Sequence, residues 1–578
     1  MPPTADHANE GLTELEAAKN QFDPGHSARI AKLLTQLSKF QFTDPPELIR
    51  FHECLLFLRA FPHSGSLIYR VETLLNIFHE RIQKLHTANV DMSSFDDFDT
   101  SGIAGTTMQD TLSFEVAQWL VRRSPGNVEI AWDDYWEDYQ SERARGSIWP
   151  RCIPLLEEDA DVEANIPWQR WLDAARGYQN PLAWLIERFE KLSIPNRQRG
   201  ELYDSLRLPL RWRLENLKLS RTRNWTRPRR FYFHVAPLIQ RNEVSFASEL
   251  TRPAPKFEKL SHAAGDSVMN AIRGVMVMRY RELYGTTLGD PHTVVRAVLG
   301  RGVVMYFWQL PPDRRLPLRA YLAGYTLKNG VPINYIEAIG LCEWIEIGFN
   351  TFYTYRQGET AWIYAQALRC LCALTAAKCI SIYPYQIGQN NDEAIDSGAF
   401  WFYRKLGFRS GRADLQMLCE TEERRIATNP KYRTPPRTLK RLAEAHMFYE
   451  LQSRGPASYK SGDWDTFATR NLGLLVNRRM ARGFSGESPK IRQSSTVAVT
   501  CALKIKRANW TATQLCSLEN WSLVLAQIPD LARWTPDEKD QLIRMMRAKS
   551  GPSELPYLHQ TQRHSRLRSE LLRLGSNP

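Results

Sequence analysis

Apolar residues recur three and four apart in "ARIAKLLTQLSKF" and "LIYRVETLLNIFHERIQKL", so helices are predicted from about residue 27 to 90. Pro45 and Pro46, then Pro62 with Gly65, punctuate them. The same period returns in "DSVMNAIRGVMVMRYRELYG", a helix expected to close at Gly285. After it the pattern changes to that of strands. "LRAYLAGYTL" and "VPINYIEAI" are strand-like, and the Lys328-Asn329-Gly330 link between them is a strong hairpin signal. A third strand-like run, "LCEWIEIGFNTFYTY", leads through Arg356-Gln357-Gly358-Glu359 into the apolar helix "AWIYAQALRCLCALTAAK". A fourth, "CISIYPYQI", leads into the helix "EAIDSGAFWFYRKL". Hairpin, strand, helix, strand, helix is a mixed α/β order. Beyond about residue 420 the chain reads as helical and basic, most clearly in "DEKDQLIRMMRA" and "HSRLRSELLRL".

These patterns divide the chain. A mainly helical N-terminal region spans 1–230, and a linker around "LTRPAPKFEKL" spans 231–262. An α/β domain spans 263–420, and a basic, mainly helical C-terminal region spans 421–578. No repeat of fixed period stands out, so a solenoid is not expected.

Composition narrows the class. The chain has 578 residues, 43% apolar and 24% charged, with 17 Trp. That is globular usage with well-filled cores, and it excludes a disordered chain. Nine scattered cysteines without a CxxC pair read as reduced, buried thiols. The first residues, "MPPTADHANEGLTELEAAKN", have neither the basic nor the apolar part of a secretory signal. No apolar run reaches the roughly 18 residues of a membrane span. A cytoplasmic protein with no membrane partner is expected. The net charge of +13 permits a polyanionic partner. It is unevenly spread: residues 93–163 are acidic and Trp-rich, whereas 207–230 carry nine Lys/Arg against one acid. The basic run, with Trp212 and Trp225 interleaved, can track a nucleic-acid backbone or dock on the acidic segment of the same chain; the internal pairing is preferred.

The glycine loop before the apolar helix can be a plain strand-to-helix turn or a phosphate cradle. Glu359 lies at the helix's positive end, and Thr360 is an acceptable N-cap. Loop amides there point outward and attract anions, Gly358 admits close approach, and Arg356 adds a fixed charge. A diphosphate would need the peptide nitrogens between Tyr355 and Ala361 to converge on an open hollow. No GxxxxGK[ST] is present, so a nucleoside-triphosphate loop of that type is not expected.

The next unit, "YPYQIGQNNDEAIDSGAFWFYRKLGFRS", offers Asn390 and Glu393 as a capping box and Gly407 as a helix stop. Gly398 inside the helix suggests a close neighbour, either backbone or ligand. A strand, a basic glycine turn, a buried helix, a strand and then Asn391, Ala394, Tyr403, Gly407 and Phe408 together resemble the GNAT superfamily of acyl-CoA-dependent N-acyltransferases. The similar stretch is about residues 260–420. The turn departs from the family's Gln/Arg-x-x-Gly-x-Gly/Ala, with Tyr355 first, Thr360 last and Arg356 displaced by one. The stretch from Asn391 to Tyr403 is also longer than is usual there. The resemblance implies a GNAT-like mixed sheet flanked by helical regions. It implies acetyl-CoA or another acyl-CoA as cosubstrate, held by Arg356, Gln357, Gly358, Glu359, Thr360 and Asn391. The strand around Glu346 to Phe349 would face the pantetheine arm.

On that resemblance Tyr403 is the candidate general acid. The candidate bases are Glu343 and Glu346, which face opposite sides of a strand, so at most one serves; the alternative is an exposed or ion-paired carboxylate. Glu343, among Ile345 and Ile347, would have a raised pKa. Glu337 on the hairpin is a weaker third. No metal site is expected, because His52-Glu53-Cys54 has no second ligand set and neither HExxH nor CxxC occurs. "SGIAGTT" from Ser101 can be an anion nest or a polar turn. Asp133, Asp134, Glu137 and Asp138 can line a helix face, solvated by default. The expected function is acyl-CoA-dependent transfer onto an amine not identified by sequence. The alternative is a catalytically inactive GNAT-like scaffold, with nucleic-acid contact through basic segments as a further reading.

Overall fold

The computed structural model describes residues 5–135, 151–152, 168–215, 217–451 and 462–576. The protein is mixed α/β, with a large mixed sheet among many helices. Nine strands form that sheet in the order β11-β12-β10-β9-β8-β7-β6-β5-β4. They are β4 (Phe257–Lys259), β5 (Val295–Gly300), β6 (Val303–Gln309), β7 (Ala320–Lys328), β8 (Val331–Leu341), β9 (Trp344–Thr351), β10 (Cys379–Ile382), β11 (Arg409–Ser410) and β12 (Met447–Glu450). From β4 to β9 each strand pairs antiparallel with the next. The expected hairpin is β7–β8, and Asn329 and Gly330 turn it with φ of 47° and 80°. The sheet reaches past the 263–420 span at both ends, since β4 lies within 231–262 and β12 within 421–578.

β9 and β10 form the parallel pair, bridged by the helix Thr360–Thr375. Eleven of its residues are buried, as its all-round apolarity requires. The parallel register holds only for Trp344/Cys379, Ile345/Ile380 and Glu346/Ser381. β10 then ends at Ile382, and Pro384 begins a short helical turn, Pro384–Ile387. Proline brings no N–H to a ladder, so the two strands part there. The Gln386 side chain replaces the lost ladder bond, its Nε2 donating to the Ile347 carbonyl at 3.1 Å.

The sheet core is continuous with the helices Pro24–Lys39, Pro45–Ala60, Gly65–Asn76 and Phe78–Thr87. Two further cores flank it. One surrounds a small sheet of β1 (Thr107–Thr111), β2 (Val128–Ile130) and β3 (Pro209–Arg213), in the order β1-β3-β2. The other joins the C-terminal helices to Leu341 and Trp344 at one end of the sheet. No disulfide joins any of the nine cysteines; against the expected burial, Cys501 and Cys516 are exposed and Cys152 and Cys372 half-buried. No helix among the described residues is long and apolar enough to cross a membrane.

Two helices differ from expectation. The helix from residue 262 ends at Val277, and Tyr280 turns the chain at φ 51° before a short helix Tyr284–Leu288. "EAIDSGAFWFYRKL" is two helices, Asp392–Asp396 and Ala399–Lys405, capped by Asn391 and Gly398 rather than by an Asn390 box. Gly398 takes φ 69° with open space where a Cβ would stand. Its role is that left-handed conformation, not close approach.

Candidate functional site

Where β9 leaves β10, a cleft of about 730 Å³ opens. Tyr335 and Glu337 of β8 face it, with Gly348 and Asn350 of β9 alongside. Arg281 and Glu282 come from the turn after the helix His262–Val277, and Tyr403 and Ser397 close the far wall. Strand alternation puts Tyr335 and Glu337 on one face, and a glycine at 348 keeps the opposite strand low. A Cβ there would stand 3.2 Å from Gln386 Nε2.

Glu337 is the carboxylate best placed for proton transfer. The Tyr321 hydroxyl donates to it, and burial raises its pKa above the usual carboxylate range. Burial raises Glu282 as well, although the Ser113 amide donates to it at 3.0 Å. Tyr335 takes an unusual part. Its oxygen accepts from Arg281 Nη1 at 3.0 Å and from Asn350 Nδ2 at 3.2 Å. Two donors occupy the oxygen's acceptor sites, which leaves its own hydrogen to be offered to a further acceptor. Tyr403 is buried among Tyr364, Phe402 and Phe408, and burial raises its pKa above the ordinary phenol value. It therefore stays protonated at neutral pH and is able to donate.

The other sequence candidates divide. Glu343 is not on β9 but in the β8–β9 turn after Cys342, which has φ 52°. Its carboxylate accepts from Arg568 Nε at 2.6 Å and Trp464 Nε1 at 2.8 Å, against the C-terminal helices and away from the cleft lining. Glu346 is on β9 but pairs with His446 at 3.0 Å and Arg319 at 3.4 Å, and it does not line the cleft either. Both take the ion-paired alternative, because long-range cations that a local pattern does not reveal reach them.

Of the six loop and coenzyme candidates, Arg356, Thr360 and Asn391 line the cleft. Arg356 is already paired with Glu393 at 2.5 Å and donates to the Thr351 carbonyl at 3.3 Å. Asn391 accepts from the Ala394 amide and donates to the Tyr385 carbonyl, each as a local cap. Gln357 is exposed and outside the cleft. Gly358 faces the N-terminal helices: a Cβ there would lie 2.4 Å from Phe61 Cζ. Phe61 fills that side of the expected hollow. Glu359 is fully buried and pairs with Arg301 and with Lys328, at 3.0 Å for the lysine. Burial would raise its pKa, but Lys328 and then Arg301 outweigh that and hold it low. Thr360 is the first helical residue and not the cap, and no side chain caps this helix.

The remaining motifs are absorbed by packing. Glu53 pairs with Arg221 at 2.5 Å, and His52 Nε2 meets Thr222 Oγ1 at 2.9 Å. Burial keeps His52 neutral. In "SGIAGTT", Ser101 Oγ donates to the Met278 carbonyl at 2.7 Å, and Gly102 abuts Met278, so the turn is closed by its own chain. Among the described residues no group of three or more His, Cys, Asp or Glu is placed to hold a metal ion. Asp134 lies 3.6 Å from Arg211, while Glu137 and Asp138 fall outside the described residues.

Sequence reasoning did not find Tyr335, Arg281, Glu282, Asn350 or Gln386. The alternation of "NYIEAI" carried Tyr335 beside Glu337, but Arg281 and Glu282 reach the cleft through tertiary packing alone. Comparison of this chain with protein-family models, with curated proteins and with solved structures returns no match.

Proposed function

We propose that the cleft binds an acyl-CoA thioester and passes its acyl group to an amine, as the resemblance to the GNAT superfamily suggests. The observation that carries this reading is the polar cleft at the parting of parallel strands β9 and β10, with a raised-pKa carboxylate and a buried phenol on its walls. In this scheme Glu337 takes the proton from the attacking amine. The nitrogen bonds to the thioester carbonyl carbon, the carbon–sulfur bond breaks, and Tyr403 gives its proton to the departing thiolate. The Tyr335 hydroxyl, its acceptor sites filled, offers its hydrogen to the carbonyl oxygen as negative charge builds there. Holding amine and thioester together supplies most of the acceleration. With the hollow under Gly358 filled by Phe61, the diphosphate in this scheme would rest on Arg356 and Thr360, the two residues of the loop that line the cleft.

A second reading is a GNAT-like scaffold without catalysis. The filled hollow at Gly358 and the Arg356–Glu393 pair favour it, since both subtract from anion binding. Isothermal titration of the full chain with acetyl-CoA, propionyl-CoA and a longer acyl-CoA separates the two. One saturable site per chain that Arg356→Ala weakens supports the transferase. Absence of a saturable isotherm with all three ligands at millimolar concentration overturns it and leaves the scaffold.

A further inference from the structure

We propose that a groove on the β4–β6 side of the sheet binds single-stranded nucleic acid. The groove has a volume of about 1190 Å³ and is separate from the cleft. One wall is the segment Thr226–Phe233, read "TRPRRFYF", and the other is the outer face of β5 and β6.

The segment is firmly held. The Thr226 amide donates to the Gly330 carbonyl at 3.0 Å, and the Tyr232 amide donates to Asn329 Oδ1 at 2.8 Å. Asn329 Nδ2 donates back to the Tyr232 carbonyl at 3.1 Å. Gly330 is required there, because a Cβ would stand 1.8 Å from the Thr226 oxygen. The β7–β8 turn thus serves as the anchor of the wall. Register places Arg296 opposite Tyr306 and Val298 opposite Val304 on the facing strands. Val298 is 64% exposed and Phe233 is 37% exposed.

Arg227, Arg229 and Arg230 are exposed or nearly so and have no hydrogen-bond or ion-pair partner among the described residues. Earlier arginines of the same basic run are used: Arg211 and Arg213 lie 3.7 and 3.8 Å from Glu129, and Arg221 pairs with Glu53. The docking on residues 93–163 expected for the run is seen for Arg211 and Arg213, whereas Arg221 turns to Glu53 outside that segment. Trp212, interleaved in the same run, is buried, its Nε1 donating to Ser124 Oγ. Beside the unused arginines lie flat rings: Phe231 stacks on Phe233 at 6.0 Å and 22°, and Tyr306 stacks on Tyr325 at 5.4 Å. Guanidinium groups beside the exposed ring of Phe233, with half-buried Phe231 and Tyr306 along the same groove, match a backbone of phosphates carrying unpaired bases. A duplex hides its base faces, so the rings favour a single strand. One acid, Glu258, borders the groove, and it is neutralised by Arg296 at 2.7 Å.

The test is fluorescence anisotropy of the full chain with labelled 12-mers of uridine and of deoxythymidine, across a salt series. Three phosphate contacts predict a slope of log affinity against log salt of about −2. The triple variant Arg227→Glu, Arg229→Glu, Arg230→Glu is expected to lose at least 30-fold in affinity with an unchanged melting temperature. Phe233→Ala, at an exposed ring, is expected to lose about tenfold with the salt slope retained. Tighter binding of uridine identifies RNA, and equal binding identifies single strands in general; either supports the proposal. Absence of saturable binding to both oligonucleotides at 50 mM salt overturns it, as does an unchanged triple variant. A 12-mer of glutamate that binds as tightly and is indifferent to Phe233→Ala also overturns it, in favour of an acidic protein partner.

Discussion

The cleft and the groove use arginine in opposite ways. In the cleft, Arg281 donates to Tyr335, and Arg356 is matched by Glu393. In the groove, Arg227, Arg229 and Arg230 have no partner among the described residues and stand next to stacked rings. Charge that is already balanced positions other groups and shapes a cavity for a largely preorganised reaction. Charge left unbalanced on the surface awaits a ligand that brings counter-charge. On the functions proposed above, the balanced charges serve proton transfer and the unbalanced ones a polyanion.

Four experiments would break or sharpen that contrast. The largest effect is expected from Tyr403→Phe and Glu337→Gln, each lowering acyl transfer by about 10² to 10⁴-fold in steady-state assays with an acyl-CoA and a panel of amines. Neither should change oligonucleotide affinity. Glu343→Gln should leave acyl transfer unaltered and instead lower thermal stability by removing one of the two carboxylates that pair with Arg568; a loss of turnover comparable to that of Glu337→Gln would relocate the base.

Next in size is Gly330→Ala. It forces a side chain into φ 80° and against the Thr226 carbonyl, which should cost about 3 kcal/mol in chemical denaturation. The groove should lose oligonucleotide binding while the cleft keeps acyl-CoA binding. Equal damage to both would show that the two sites are not independent.

Acid stability comes third. Burial, with Lys328 next, lowers the His234 pKa to about 3 from an ordinary 6.5. The folded value is the depressed one, so the stabilisation is complete above pH 6.5 and is lost as pH falls toward 3. The slope from this group approaches about 1.4 kcal/mol per pH unit. His234→Phe, set between Phe22 and Phe61, should flatten the curve of unfolding free energy against pH in that window. The smallest effect is that of Glu393→Gln. The pair it breaks is partly exposed and worth little, so freeing Arg356 should tighten acyl-CoA binding only about threefold by calorimetry. Weaker binding after this change would place the diphosphate elsewhere.

The sequence was most legible where local signals and tertiary structure agree. Asn329-Gly330 marked the hairpin, and the unbroken apolar run after Gly358 marked a buried helix, because turn geometry and burial are written in adjacent residues. Tyr403 was reached through the family resemblance, by its place four residues before Gly407, and the structure lines the cleft with it. The two leading base candidates were not legible in this way. Glu343 and Glu346 looked alike as strand carboxylates, and what separates them from Glu337 is contact with Arg568, His446 and Arg319 from distant segments. The exposure of Arg227 to Arg230 was equally hidden. It depends on which members of one basic run find acids in the fold, and only the paired neighbours reveal that.

The aromatic wedge at residue 61 has a practical bearing on how this molecule can be taken apart. Phe61 ends the helix Pro45–Ala60 and presses on Gly358, so the ground beneath the strand-to-helix loop belongs to the first hundred residues. Cutting the chain at residue 230 or 262 to obtain a minimal α/β fragment would remove that floor and expose the apolar underside of the loop. Such a fragment should be insoluble when produced alone, and co-expression with the missing N-terminal piece should restore it.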